Sequence, residues 1–264
     1  MVLVGDGLAA RGAGESFRQW TVCGIEPMSP IEICVCDSDE AVAHAAATRW
    51  LEVLRAAPSL IRCAALSGGR SASGLFNAIT SLAQPVSKPG ILSGVHFFWA
   101  DERCVPPGDD QGNFRQADEL LLRPMGIPAK RIHRIKGEAP PAEAAREAGL
   151  DLLNTTHARY NGIPILDLVF LGVGEDGHIA SIFPDAPGAV LQGPKLYSAV
   201  TAPKPPSQRI TLTLPVLATA REVWVLACGP GKSGIIDQSL GEGSRTPLAQ
   251  LLALRANTVI FRKQ

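Results

Sequence analysis

Residues 166–184 read LDLVFLGVGEDGHIASIFP. After Asp167 comes an unbroken apolar run, Leu168 to Leu171, which predicts a strand buried on both faces, as in a parallel sheet. The run then breaks into Gly172, Gly174 and Gly177, with Glu175, Asp176 and His178 among them. Glycines let the backbone turn sharply and let a ligand come close. Ligands of open α/β sheets sit beyond the carboxyl ends of the strands. A carboxylate and an imidazole therefore stand where such a fold does its chemistry. The three glycines also satisfy the GxGxxG spacing of a dinucleotide-binding turn. Against that reading, Glu175 and Asp176 would repel a pyrophosphate, and Pro184 cuts short the helix that should follow. Tyr197 stands where the ribose-binding acid is wanted. A plain capped turn would account for the glycines, but not for an Asp-Gly-His cluster directly after a buried strand.

Outward from this stretch, strand and helix patterns alternate. Strands are expected at 31–36, 61–66, 95–100, 210–214, 222–228 and 258–261, with a short one at 132–135. Helices are expected from Asp37 or Ser38 to Pro58, over 72–82, 114–122 and 142–158, and from the turn Gly229-Pro230-Gly231-Lys232 onward. The alternation predicts a largely parallel, doubly wound α/β sheet with helices on both faces, a Rossmann-like three-layer arrangement. Residues 1–30, rich in Gly and Ala without a period, are expected to be an N-terminal extension, and 31–264 a single α/β domain. The segment 202–206, APKPP, is a rigid extended loop unfit for a central strand.

The 264-residue chain is 46% hydrophobic, ample for a core. Its 25 basic and 25 acidic residues cancel, so bulk charge points to neither nucleic acid nor a membrane surface. No apolar run approaches the ~18 residues of a membrane span. The first residues lack the basic and apolar regions of a signal peptide. Six cysteines form no CxxC and no zinc spacing, and are expected to be reduced thiols in a cytoplasmic protein. No metal and no cofactor is expected.

Three glycine- or charge-rich loops follow expected strands and so share one sheet edge: Ser67-Gly68-Gly69-Arg70-Ser71, Asp101-Glu102-Arg103 and the GEDGH loop. SGGRS offers backbone N–H groups and hydroxyls at a helix start, which suits a phosphate. The GPGK turn adds Lys232 at a second helix start, without the GxxxxGK[ST] spacing of a nucleotide P-loop. Lys204 and Arg209 could add charge to the same anion site, though either taken singly reads as a solvated surface cation. His178 is the acid–base candidate, because an imidazole titrates near neutrality. Asp176 could orient or tune its ring. Arg103 supplies a fixed positive charge for an anionic substrate or a developing oxyanion; its plain alternative is a surface salt-bridge cluster. His44, His96, His133 and His157 fall in expected helices or strands and are read as structural.

Together LSGGRS (66–71), DERCVPP (101–107) with Asn113, DLVFLGVGEDGHIASIFP (167–184), APKPPSQRITLTLPVL (202–217) and GPGK resemble the 6-phosphogluconolactonase family, within the wider group that includes glucosamine-6-phosphate deaminase. The likeness spans roughly residue 31 to the C-terminus. It implies hydrolysis of 6-phospho-D-glucono-1,5-lactone to 6-phosphogluconate in the pentose phosphate pathway, by a monomer or small homo-oligomer whose only partner is that small molecule. It implies that His178 activates water, that Asp176 supports it and that Arg103 steadies substrate and oxyanion. The substrate would be bound by Ser67, Gly68, Gly69, Arg70, Ser71 and Asp101, with Lys204, Arg209 and Lys232 as candidates for the phosphate charge. Two alternatives stay open. The deaminases of the group carry a catalytic Glu five residues after the His, where this chain has Phe183, and an aromatic residue where it has Arg103. A non-catalytic sugar-phosphate sensor usually brings a DNA-binding segment, and no basic helix-turn-helix pattern is present here.

Overall fold

The computed structural model describes residues 31–57, 63–83, 90–255 and 257–264. The expected extension at 1–30, and residues 61 and 62 of the second expected strand, lie outside the described residues. The first half of the chain gives β1 (Glu32–Cys36), α1 (Asp39–Ala56), β2 (Cys63–Leu66), α2 (Arg70–Leu82), β3 (His96–Trp99) and β4 (Asp101–Arg103). Then come α3 (Asn113–Ala117), continued by a π turn at Asp118–Leu122, and α4 (Pro141–Thr155). A short hairpin follows, β5 (Arg159–Tyr160) with β6 (Ile163–Pro164), and then β7 (Leu168–Gly172), α5 (Gly188–Leu191), β8 (Tyr197–Thr201) and β9 (Gln208–Leu212). The chain ends with α6 (Leu214–Thr219), β10 (Glu222–Ala227), α7 (Lys232–Leu240), α8 (Pro247–Leu254) and β11 (Thr258–Lys263).

Six strands make one parallel sheet in the order β1-β11-β10-β7-β2-β3, with the helices around it. The apolar run of β7 is buried, as a central parallel strand must be. From β2 the chain moves outward to β3, then crosses back to β7 and proceeds the other way through β10 to β11. The reversal lies between β2 and β7, and a crevice forms beyond the carboxyl ends of strands at such a switch point. SGGRS leaves β2 and GEDGH leaves β7, so the two loops are neighbours although about a hundred residues separate them in sequence.

α1 begins where Ser38 Oγ accepts the Ala41 N–H at 3.1 Å, with Asp39 and Glu40 complementing the helix dipole. Its buried residues Val42, Ala43, Ala46, Ala47, Trp50, Leu51 and Leu54 recur at helical spacing. Trp50 stands over Phe170 of β7 (ring centroids 4.9 Å apart) and Phe97 of β3 (6.3 Å). Phe170 meets Trp224 of β10 at 5.6 Å, and Trp224 meets Phe261 of β11 at 5.5 Å. This row of rings crosses the sheet and keys α1 to it; each such pair adds ~0.5–1.5 kcal/mol beyond area burial.

Residues 101–103 depart from expectation. They are not a loop but β4, which pairs antiparallel with β9, which in turn pairs with β8. Ala100 is the branch point: its N–H donates to Leu66 O at 2.7 Å and its carbonyl accepts from Leu212 N at 2.7 Å. The strand expected at 210–214 therefore belongs to this small second sheet. Three charged residues carry no strand period, so only the partner strand reveals β4. The strand expected at 132–135 is a single bridge from Ile132 to Phe97. α4 stops at Thr155, where Thr156 turns its hydroxyl back to Leu152 O. No helix among the described residues is long and apolar enough to cross a membrane.

Candidate active site

After β7 the chain folds back on itself without starting a helix: Ile179 bridges to Val173 and to Ile182. Gly174 N donates to His178 O at 2.8 Å and closes the loop. Inside it, His178 Nδ1 lies 2.6 Å from Asp176 Oδ1, which also accepts the His178 backbone N–H at 3.1 Å. A Cβ on Gly174 would fall 2.0 Å from that ring nitrogen and 2.5 Å from that oxygen, so the pair needs glycine there. Gly177 has φ +77°, and a Cβ on it would meet Thr246 at 2.5 Å. Its carbonyl accepts from Leu248 N, pinning the loop to the start of α8. At Gly172 a Cβ would meet open space. Only two of the three glycines are demanded, Gly174 by the Asp–His pair and Gly177 by its positive φ and by Thr246.

Burial alone would raise the Asp176 carboxyl, but the backbone and ring N–H of His178 outweigh it and hold the group below the usual carboxylate range. An ionised carboxylate only accepts, so Nδ1 carries a proton, and in the neutral tautomer this leaves the lone pair on Nε2. The His178 ring sits 4.8 Å from Phe183, and the Arg209 guanidinium lies over the Phe183 ring, 5.9 Å from its centroid. Phe183 thus spans the imidazole and the antiparallel sheet.

On that sheet Arg103 and Arg209 are partners in register across β4 and β9. Arg103 Nη1 donates to Gln111 O at 2.7 Å; Arg209 donates to Pro206 O at 3.0 Å and to Lys204 O at 3.5 Å. Burial first, then Arg103, lowers the Arg209 pKa, while Asp101 opposes the shift. Asp101 itself turns inward. It is buried, with one carboxylate oxygen accepting Ser181 Oγ at 2.6 Å and the other Asn113 Nδ2 at 3.2 Å. Lys204 is exposed on its proline loop and meets Arg209 only through its carbonyl.

The SGGRS loop divides similarly. Ser67 is buried, and its hydroxyl donates to Phe170 O at 2.8 Å, tying β2 to β7. A Cβ on Gly68 would come within 1.8 Å of Asn113 Oδ1, so that position must be glycine. Gly69, with φ +88°, precedes α2 and exchanges two hydrogen bonds with the Gln116 amide, at 2.9 and 3.1 Å. The Ser71 hydroxyl lies beside the Cys228 thiol. Arg70 opens α2 and lies over the GPGK turn: a Cβ on Gly229 would be 3.4 Å from its guanidinium. Lys232 opens α7. Burial lowers its pKa, helped by Arg70 and opposed by Glu175 and Asp176. Arg70 and Lys232 therefore share one electrostatic neighbourhood with the catalytic candidates. Among the described residues no group of three or more His, Cys, Asp or Glu side chains could hold a metal ion.

The sequence profile described as glucosamine-6-phosphate isomerases/6-phosphogluconolactonase matches residues 37–260. The chain belongs to this family. It is 38% identical to 6-phosphogluconolactonase of Mycobacterium tuberculosis over 181 residues, 67% of this chain and 71% of that one. It is 35% identical to 6-phosphogluconolactonase of Homo sapiens over 188 residues, 71% of each chain. A solved structure of 6-phosphogluconolactonase from Trypanosoma brucei superposes with TM-score 0.77 at 26% identity, covering 90% of this chain and 97% of that one. Within the family's fold, His178 touches Asp176 and Phe183, Phe183 lies under Arg209, Arg209 pairs in register with Arg103, and Lys232 feels Arg70 and Asp176, whereas Ser67 and Asp101 face inward. Phe183, Gln116 and Thr246 shape the site without having been singled out for that. Gln116 reaches Gly69 from another element, Thr246 caps α8 while packing against Gly177, and Phe183 joins His178 of its own loop to Arg209 of β9.

Proposed function

We propose that the chain hydrolyses 6-phospho-D-glucono-1,5-lactone to 6-phospho-D-gluconate, the second step of the pentose phosphate pathway, with residues 31–264 acting as one unit. The Asp176–His178 pair carries the reading: an anchored, partly exposed imidazole is a base for water. In this reading Nε2 takes a proton from water as the oxygen attacks the lactone carbonyl. Arg103, with Arg209 beside it, faces the oxyanion of the tetrahedral intermediate. Collapse breaks the bond from the carbonyl carbon to the ring oxygen, and His178 returns its proton to that oxygen. The phosphate rests at the starts of α2 and α7, against Arg70 and Lys232. Phe183 supports hydrolysis over deamination, because it fills with a ring the position where the resemblance puts the deaminase carboxylate. A coupled assay with freshly generated 6-phosphogluconolactone, corrected for spontaneous opening, tests the reading. Enzyme-dependent release of 6-phosphogluconate is expected; a rate equal to the blank would end it.

A further inference from the structure

Glu102 stands beside Arg103 and has no part in the chemistry above. It is 3% exposed, yet it is the most heavily engaged carboxylate of the β4 region. Its Oε1 accepts the backbone N–H of Arg103 at 2.7 Å and that of Asn113 at 2.7 Å; its Oε2 accepts that of Phe114 at 2.6 Å. Gly112, at the N-cap of α3, has no side chain to offer, so Glu102 caps the helix from another element. The same loop grips Arg103 at its far end, where Nη1 donates to Gln111 O. Arg103 Nε is buried and has no hydrogen-bond partner among the described residues, and across the strand pair the residue is in register with Arg209. A guanidinium held against a like charge must be restrained by something else. Glu102 is a buried anion that bonds both the Arg103 backbone and the loop gripping its guanidinium.

We propose that Glu102 is a positioning residue for lactone hydrolysis: its carboxylate fixes Arg103 in its working place by clamping β4 to the first turn of α3. The proposal rests on the reading of Arg103 given above. Burial pushes the Glu102 carboxyl up to about 7, against the pull of the three N–H donors. The geometry favours the ionised form, since a protonated Oε2 would face the Phe114 N–H donor to donor.

Glu102→Gln keeps the shape but turns an NH2 group toward one of those donors. The experiment compares kcat and KM of wild type, Glu102→Gln, Arg103→Ala and the double variant, with melting temperatures for all four. Glu102→Gln is expected to lower kcat about 10- to 100-fold with a smaller change in KM, as misplacement of a catalytic group does. In the Arg103→Ala background the same change should alter kcat by no more than about two-fold, because the group it positions is gone. An equal loss in both backgrounds, with Arg103→Ala itself defective, would overturn the proposal and leave the Arg103 reading standing. Near-normal activity of Arg103→Ala would overturn both. If Glu102→Gln does not fold, Glu102→Asp, which keeps the charge but withdraws the oxygens, enters the same four-way comparison and is judged by the same outcomes.

Discussion

Asp176 and His178 are two residues apart, and a backbone that lets their side chains meet at 2.6 Å must bend tightly. Gly174 and Gly177 provide the bend, one by having no Cβ to strike the pair and the other by its positive φ. His178→Ala should therefore remove the base without disturbing the loop, whose closing hydrogen bonds are main chain. The expected loss in kcat is ~100- to 10,000-fold, with a melting temperature near that of the wild type. A folded variant that keeps near-normal kcat would sink the mechanism. The Asp-Gly-His cluster could be read from sequence because its function and its turn depend on adjacent residues. Ser67 and Asp101 could not be read so well. Each sits among polar residues in sequence, and only the distant Phe170 and Ser181 reveal that both point inward.

Among the elements, those with a continuous apolar or helical period were legible: β7, β10, α1 and α2 lie within a few residues of expectation. β4 and β8 were not, since strands of three and five residues beside polar loops carry no period of their own and exist through β9. A polar junction of the same hidden kind ties β3 to α4. His96 Nδ1 meets His133 Nε2 at 2.7 Å, and His133 Nδ1 meets Asp151 Oδ2 at 2.9 Å. Burial first, then Arg131, His133 and His157, pushes the His96 pKa down to about 4, while Asp151 opposes. In the unfolded chain the same imidazole titrates near about 6.5. Between these values the unfolded state binds more protons, so this contribution to stability is present above about 6.5 and is lost as the pH falls through about 4. Melting temperature against pH should fall less steeply over that window in His96→Asn, whose amide can still reach His133, than in the wild type. Identical slopes would show that His96 does not carry the acid sensitivity.

At the scale of the whole molecule, the topology brings two cations together that lie far apart in sequence. Arg70 begins α2 beyond β2, and Lys232 begins α7 beyond β10, with β7 and its Asp–His loop between the two strands. A cation at the first position of a helix opposes the dipole, and burial further disfavours the Lys232 charge. Glu175 and Asp176 offset only part of this, and both also border the proposed reaction centre. A phosphate dianion at the same edge would offset the rest and would face the positive ends of the two helix dipoles. The sugar ring, by contrast, would extend toward His178 and Arg103. Lys232→Ala should thus weaken recognition of the phosphate and leave the lactone chemistry intact. Measured as kcat/KM, the loss on 6-phosphogluconolactone should be on the order of 10- to 100-fold, the value of one charge-assisted hydrogen bond, and that on unphosphorylated gluconolactone close to none. Equal losses on the two lactones would mean that Lys232 supports the turn after β10 and does not read the phosphate.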